Sequence, residues 1–233
     1  MYKELYESLV NRSIIDASTG GDNITEIGLY AYNSCKSLVT ASFPVATQVA
    51  NYAFQDCSKL ESVSIPMVTQ IGFFAFQRNS ALVSISADSL LSIGQSSFQD
   101  CVSLEYVAFP KLTSLGSAGA FSGDYNLKEA HFPSFNSYVG GDTFRQCTKL
   151  ETLELGTVLI FYSAFTNMGN SVSPRVDADG NEYKTLVILD MTASNVMSTT
   201  GFPGNAPTST KFECSDGYIV YDTSTSSWKS VTT

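Results

Sequence analysis

The sequence predicts a repeat solenoid of short parallel strands, and three observations predict it. One aromatic position recurs every 21 to 23 residues, at Tyr32, Phe54, Phe76, Phe98, Phe121, Phe144 and Phe165. A leucine follows each of the first six aromatics at a distance of six residues: Leu38, Leu60, Leu82, Leu104, Leu127 and Leu150. Beyond the leucine the chain alternates apolar and polar, as in Leu60-Glu61-Ser62-Val63-Ser64-Ile65. Self-similarity at such a period belongs to stacked supersecondary units, each too small to bury its apolar face alone.

Each part of the repeat has a physical task. Alternation over Val63 and Ile65, Val107 and Phe109, or Leu153 and Leu155 means a short strand with one face in and one face out. Proline after the strand (Pro44, Pro66, Pro110, Pro133) lacks an amide donor and ends it. A φ-Gly step follows at Ile27-Gly28, Ile71-Gly72, Ile93-Gly94, Leu115-Gly116 and Val139-Gly140, read as a turn that a Cβ would obstruct. Ala-Phe pairs such as Ala53-Phe54 and Ala75-Phe76 then drive an anchor into the space between coils. Three residues after the aromatic stand Cys35, Cys57, Asn79, Cys101, Asp124, Cys147 and Met168. Cys and Asn sharing one column predicts a buried turn position that makes a weak hydrogen bond to backbone. Coils stacked at about 4.8 Å would form a rod or arc on the order of 35 Å long.

The ends and one interruption break the pattern. Tyr2, Leu5, Tyr6 and Leu9 lie at the spacing of an amphipathic helix, and Ile14-Ile15 reads as a strand. Residues 1–23 are therefore expected to cap the first coil, whose open edge needs cover. The solenoid is expected over 24–192, with Ser171–Tyr183 inserted in its last coil and Asp179-Gly180 turning a hairpin. Residues 193–233 are expected to form a C-terminal cap. There Lys211–Cys214 and Tyr218–Tyr221 read as strands, the latter paired with Trp228–Val231.

The string L-x-x-φ-x-φ-P followed by φ-G-x-x-A-F-x-x-C resembles the leucine-rich repeat of the BspA-like surface protein family. Ile71-Gly72-Phe73-Phe74-Ala75-Phe76 and Val49 to Cys57 carry it best, within a match from about Ile24 to Met191. Ala87 and Asp88 replace the Ile-Pro of the third coil, and Gly156 replaces proline in the sixth. The resemblance implies a right-handed superhelix of about seven coils, strand-rich within the α/β class. It also implies display at a bacterial surface and a binding role, because some members resemble adhesins. The repeat columns are core residues and transfer no ligand.

Composition narrows the function. The 233 residues are 43% hydrophobic and carry a net charge of −9, enough for one domain. Phosphate-backbone and anionic-membrane binding need clustered Lys and Arg. Neither an 18-residue apolar run nor a signal-peptide core is present, which leaves three expectations: a signal outside this sequence, export by another route, or retention inside the cell. The five cysteines lack the spacing of a disulfide framework or zinc site, although Cys35 and Cys57 stand in adjacent coils. Asp177-Ala178-Asp179-Gly180 only faintly resembles a calcium loop, with its glycine too early. A single histidine, His131, and no nucleophile, metalloprotease or phosphate-loop motif argue against an enzyme and against any cofactor.

Binding residues are sought where the strands face outward. Flanking the middle φ of each strand are Thr40/Ser42, Ser62/Ser64, Ser84/Ser86, Tyr106/Ala108, Glu129/His131, Thr152/Glu154 and Ile188/Asp190. A hydroxyl ladder gives way at the fourth coil to aromatic, acidic and imidazole groups. Tyr106, Glu129, His131 and Glu154 are the candidate binding patch, since tyrosine ringed by charge suits a protein hot spot. The expected function is non-enzymatic adhesion of a secreted or cell-surface bacterial protein to protein or glycan on host or neighbouring cells. The chain is expected to act as a monomer, with no nucleic-acid partner and no membrane insertion. The other reading is a spacer or decoration domain of a larger surface or viral particle, with no ligand of its own.

Overall fold

The computed structural model describes residues 14–15, 21–116, 118–158, 160–161, 164–199, 202 and 206–232. The helix expected over Tyr2–Leu9 lies outside them. The described chain is a parallel β-solenoid of about eight turns with little helix.

The main strand face is a ladder of rungs: β1 (Ile14–Ile15), β3 (Thr40–Ser42), β5 (Ser62–Ser64), β7 (Ser84–Ser86), β9 (Tyr106–Ala108), β10 (Glu129–Phe132), β12 (Thr152–Leu155), β16 (Thr185–Leu189) and β17 (Thr210–Cys214). Neighbouring rungs pair in parallel within two sheets, β1-β3-β5-β7 and β9-β10-β12-β16-β17. A second face carries two-residue strands: β2 (Glu26–Ile27), β4 (Gln48–Val49), β6 (Gln70–Ile71), β8 (Ser92–Ile93), β11 (Tyr138–Val139) and β13 (Ile160–Phe161). Ile14–Ile15 and Thr210–Cys214 thus extend the ladder beyond the seven coils whose aromatic column is visible in the sequence. Behind β17, β18 (Gly217–Asp222) and β19 (Ser227–Thr232) add antiparallel strands that close the sheet. The single described α-helix, α1 (Ala193–Ser198), starts on a Thr192 side-chain cap.

The spine forms as the repeat requires. Tyr32, Phe54, Phe76, Phe98, Phe121, Phe144 and Phe165 are all buried. Their rings stack face to face, with centroids 5.0 Å apart between Tyr32 and Phe54 and 5.1 Å between Phe54 and Phe76. The spacing opens to 6.1 Å between Phe144 and Phe165. Each buried Phe contributes about 1.5–3 kcal/mol of burial, and each offset stack adds about 0.5–1.5 kcal/mol. The six leucines of the second column are fully buried beside it. In the third column Cys57 Sγ donates to Tyr32 O at 2.9 Å, Cys101 Sγ to Phe76 O at 3.1 Å and Cys147 Sγ to Phe121 O at 3.1 Å. All five cysteines are free thiols. Burial pushes the Cys101 and Cys147 thiols well up from their ordinary value, so they stay protonated donors.

The ladder breaks in the third coil. β7 and β9 fall in different sheets, and Ile85 at the centre of β7 is only half-buried. Ala87 occupies the place held by Ile65 and Phe109 in the adjacent coils, so less apolar volume draws this strand inward. The second face bridges the gap through a parallel bridge between Ser92 and Ser114.

Glycine plays a different part from the one its sequence position suggests. Gly72, Gly94 and Gly116 do not have positive φ. A Cβ on Gly94 would lie 2.7 Å from Gly72 C, and one on Gly116 would lie 2.3 Å from Gln95 N. Close approach of successive coils therefore excludes the side chain. The left-handed positions fall instead on other residues, Tyr30, Tyr52 and Phe74 in one column and Ser34, Asp56, Arg78 and Asp100 in another. Left-handed backbone costs such residues about 1–2 kcal/mol each. Amides at these turns donate to the next coil, as Asp56 N does to Gln77 O at 2.9 Å.

The insertion is a hairpin of β14 (Arg175–Val176) and β15 (Glu182–Tyr183), paired antiparallel. It is fastened to the C-terminal strands by Lys211, whose Nζ lies 2.6 Å from Asp177 Oδ2 and 4.1 Å from the Tyr218 ring centroid. The Tyr218 hydroxyl donates to Asp179 Oδ2 at 2.6 Å. The loop with a faint likeness to a calcium site therefore spends Asp177 on an ammonium group.

Candidate functional site: the strand-bearing face

The four residues singled out in the sequence meet on β9, β10 and β12. Register sets Tyr106 opposite Glu129, and His131 between Ala108 and Glu154. Alternation buries Val107, Ala130 and Leu153 and turns the flanking side chains outward. The rings of Tyr106 and His131 are tilted by 40° with centroids 5.6 Å apart. His131 Nδ1 is 2.9 Å from Glu154 Oε2, and its Nε2 is 3.3 Å from Glu129 Oε2. Only a doubly protonated ring can donate to both carboxylates. Tyr106 keeps 53% exposure despite its contact with the next coil, so a partner can still reach its ring.

The patch is flanked by charge of opposite sign. On one side a depression of about 360 Å³ is lined by Glu154, Ile188, Asp190 and Glu213. On the other, one of about 350 Å³ is lined by Lys128, Lys149, Glu151 and Arg175. Lys128 pairs with Glu105 at 2.7 Å across neighbouring coils. Among the described residues no group of three or more His, Cys, Asp or Glu is placed to hold a metal ion, and no helix is long and apolar enough to cross a membrane.

Two features of this face escaped the sequence reading. In the coil after the insertion, register pairs Thr152 with Leu186 and Glu154 with Ile188. The outward pair is therefore Leu186/Ile188, not Ile188/Asp190, because Val187 and Leu189 are the buried residues. The face also continues onto β17, where Lys211 and Glu213 stand opposite Leu186 and Ile188. No aromatic column marks that rung; only the alternation Lys211-Phe212-Glu213-Cys214 could have revealed it.

The profile of the BspA type leucine rich repeat region matches six copies, over residues 3–118 and 47–172. No curated protein matches. A leucine-rich repeat protein of Bacteroides ovatus is 19% identical, covering 82% of this chain and 55% of that one, with a TM-score of 0.54. The pneumococcal vaccine antigen PcpA is 18% identical over 78% of this chain and 42% of its own, with a TM-score of 0.55. A T. pallidum leucine-rich repeat protein is 30% identical over 50% of this chain and 58% of that one, with a TM-score of 0.47. The chain thus spans about half the length of these solved structures. The first two share its fold. Its repeat columns, its stacked spine and the match over residues 3–172 together make this chain a member of the BspA-type leucine-rich repeat family.

Proposed function

We propose that the chain is a non-enzymatic binding module of a bacterial cell-surface or secreted protein, adhering to a protein on host or neighbouring cells through its strand-bearing face. One observation carries the reading: the outward ladder is hydroxyl-bearing through β3, β5 and β7 and becomes the Tyr106–Glu129–His131–Glu154 cluster at β9. A half-exposed tyrosine held against an imidazole is already partly ordered, so docking on it costs little side-chain entropy. The opposed charges on either side would orient a partner. Membership of the BspA-type repeat family, and a fold shared with a pneumococcal vaccine antigen, support the location.

The test is binding of the chain to immobilised matrix and mucin extracts, with and without Tyr106→Ala plus His131→Ala. Loss of about 2 kcal/mol, roughly thirtyfold in affinity, is expected for a hot-spot pair, with melting unchanged. Equal binding by both proteins would dismiss the patch, and no binding by either would favour the spacer reading.

A further inference from the structure

The second face carries a groove that the strand-face reading does not use. Its volume is about 590 Å³, and it runs across the coils of β4, β6 and β8, from Leu29 at one end to Tyr138 at the other. Its lining contains no Lys, Arg, Asp or Glu, although the chain carries a net charge of −9. Gln48, Gln70, Ser92 and Ser114 stand in register, one per coil, while Asn51 in the lining spends its Oδ1 on Phe73 N. Leu29 and Phe73, with 60% and 52% exposure, supply apolar walls. Gly72, Gly94 and Gly116 line it where successive coils approach too closely for a side chain.

These amides differ from the other amide ladder of the molecule. Asn33, Gln55, Gln77 and Gln99 bond to one another along the stack, at 3.0, 2.7 and 2.9 Å, and are spent. The side chains of Gln48 and Gln70 are solvent-facing and take part in no such chain among the described residues. The backbone here is occupied: Gly72 N donates to Val49 O and Gly94 N to Ile71 O, each at 2.8 Å. An extended peptide therefore finds no strand edge to join. An anionic or cationic polymer finds no counter-charge. What remains is recognition by neutral amides and hydroxyls beside an apolar wall, at one in-register polar group per coil.

We propose that this groove binds an uncharged polysaccharide, with the Gln48 and Gln70 amides hydrogen-bonding its hydroxyls and Phe73 lying against the C–H face of a sugar ring. The site is separate from the Tyr106 patch, so the two can fail independently.

Calorimetric titration of the whole chain with cellohexaose, laminarihexaose, mannohexaose and N-acetylchitohexaose tests it. At least one is expected to bind with Kd at or below about 1 mM. Gln70→Ala and Phe73→Ala, each checked by its melting curve, are each expected to weaken that binding about tenfold. The Tyr106→Ala/His131→Ala chain is expected to bind the sugar as the parent does. Gln70 faces solvent, so Gln70→Ala keeps the test decisive if Phe73→Ala fails to fold. The proposal is overturned if no neutral oligosaccharide binds, or if Gln70→Ala and the folded Phe73→Ala bind as well as the parent. It is also overturned if an uncharged Ser/Gly peptide displaces the sugar at equal concentration.

Discussion

Replacing Asp124 by Asn is expected to stabilise this protein, and increasingly so as pH rises. Asp124 is fully buried in the turn column otherwise held by Cys57, Asn79, Cys101 and Cys147. Its Oδ1 accepts from Cys101 N at 2.8 Å, as Asn79 Oδ1 accepts from Cys57 N at 2.8 Å. Its Oδ2 is buried with no partner among the described residues. Burial pushes the carboxyl well above the usual 3.8; the Cys101 amide partly offsets this, and the charge of Asp100 adds to it. The folded chain therefore holds a proton that the unfolded chain releases above that value. With more protons bound when folded, stability falls as pH rises, by about 1.4 kcal/mol per pH unit while the proton is retained. Asn keeps the Oδ1 acceptor and carries no titrating proton. Its unpaired Nδ2 costs no more than the one Asn79 already buries. The gain accumulates at that rate above the unfolded value until the folded carboxyl itself ionises, and each kcal/mol raises Tm by about 2–4 °C for a chain of this size. Thermal melts of both proteins from pH 4 to pH 8 measure it. Curves that run parallel across that range, or a variant less stable than the parent at pH 7, would show that Asp124 holds no such proton.

Three further outcomes follow from the packing. Phe76→Ala opens the stacked spine between Phe54 and Phe98 and should cost about 3–5 kcal/mol, read by chemical denaturation. Gly94→Ala drives a methyl to 2.7 Å from the backbone of the preceding coil, whereas a Cβ at Gly28 meets nothing within 4 Å. The first should lose about 1–3 kcal/mol and the second little, so similar melting of the two would contradict the close-approach account. Asp177 behaves opposite to Asp124: burial raises its carboxyl, but hydrogen bonds from Lys211 and Asn181 outweigh that and bring it to about 2. Its stabilisation is present above pH 3.8 and is lost as pH falls through about 2. Acid titration should show Asp177→Asn weaker than the parent by up to about 2 kcal/mol at pH 5, with the gap closing toward pH 2.

Much of this was legible because a repeat states each contact many times. Phe54, Phe76 and Phe98 announce the spine by their period alone, and the Cys/Asn alternation announces a turn column bonded to backbone. Tyr106, Glu129, His131 and Glu154 could be brought together because alternation fixes which side chains leave the core. The illegible parts are those stated once. Leu186/Ile188 was misplaced because the insertion at 171–183 interrupts the count. Ile14–Ile15 and Thr210–Cys214 join the ladder without an aromatic anchor, so nothing periodic marked them as rungs. The Lys211–Asp177 contact joins residues far apart in sequence. Tyr52 and Phe74 adopt left-handed backbone that residue preference would assign to Gly or Asn. Their rings stack with centroids 5.1 Å apart, and such a stack returns about 0.5–1.5 kcal/mol of that strain.

Stacking of the coils turns the flanking side chains of β9, β10 and β12 outward, where the proposed partner would dock. Hydroxyl-radical footprinting of the chain, alone and after exposure to immobilised matrix and mucin extracts, tests the proposed docking there. Docking on this patch would reduce oxidation of Tyr106 and His131 in the captured state and leave Tyr30 and Met67 unchanged. Unchanged labelling of Tyr106 and His131 alongside protection of Tyr30 or Met67 would contradict it.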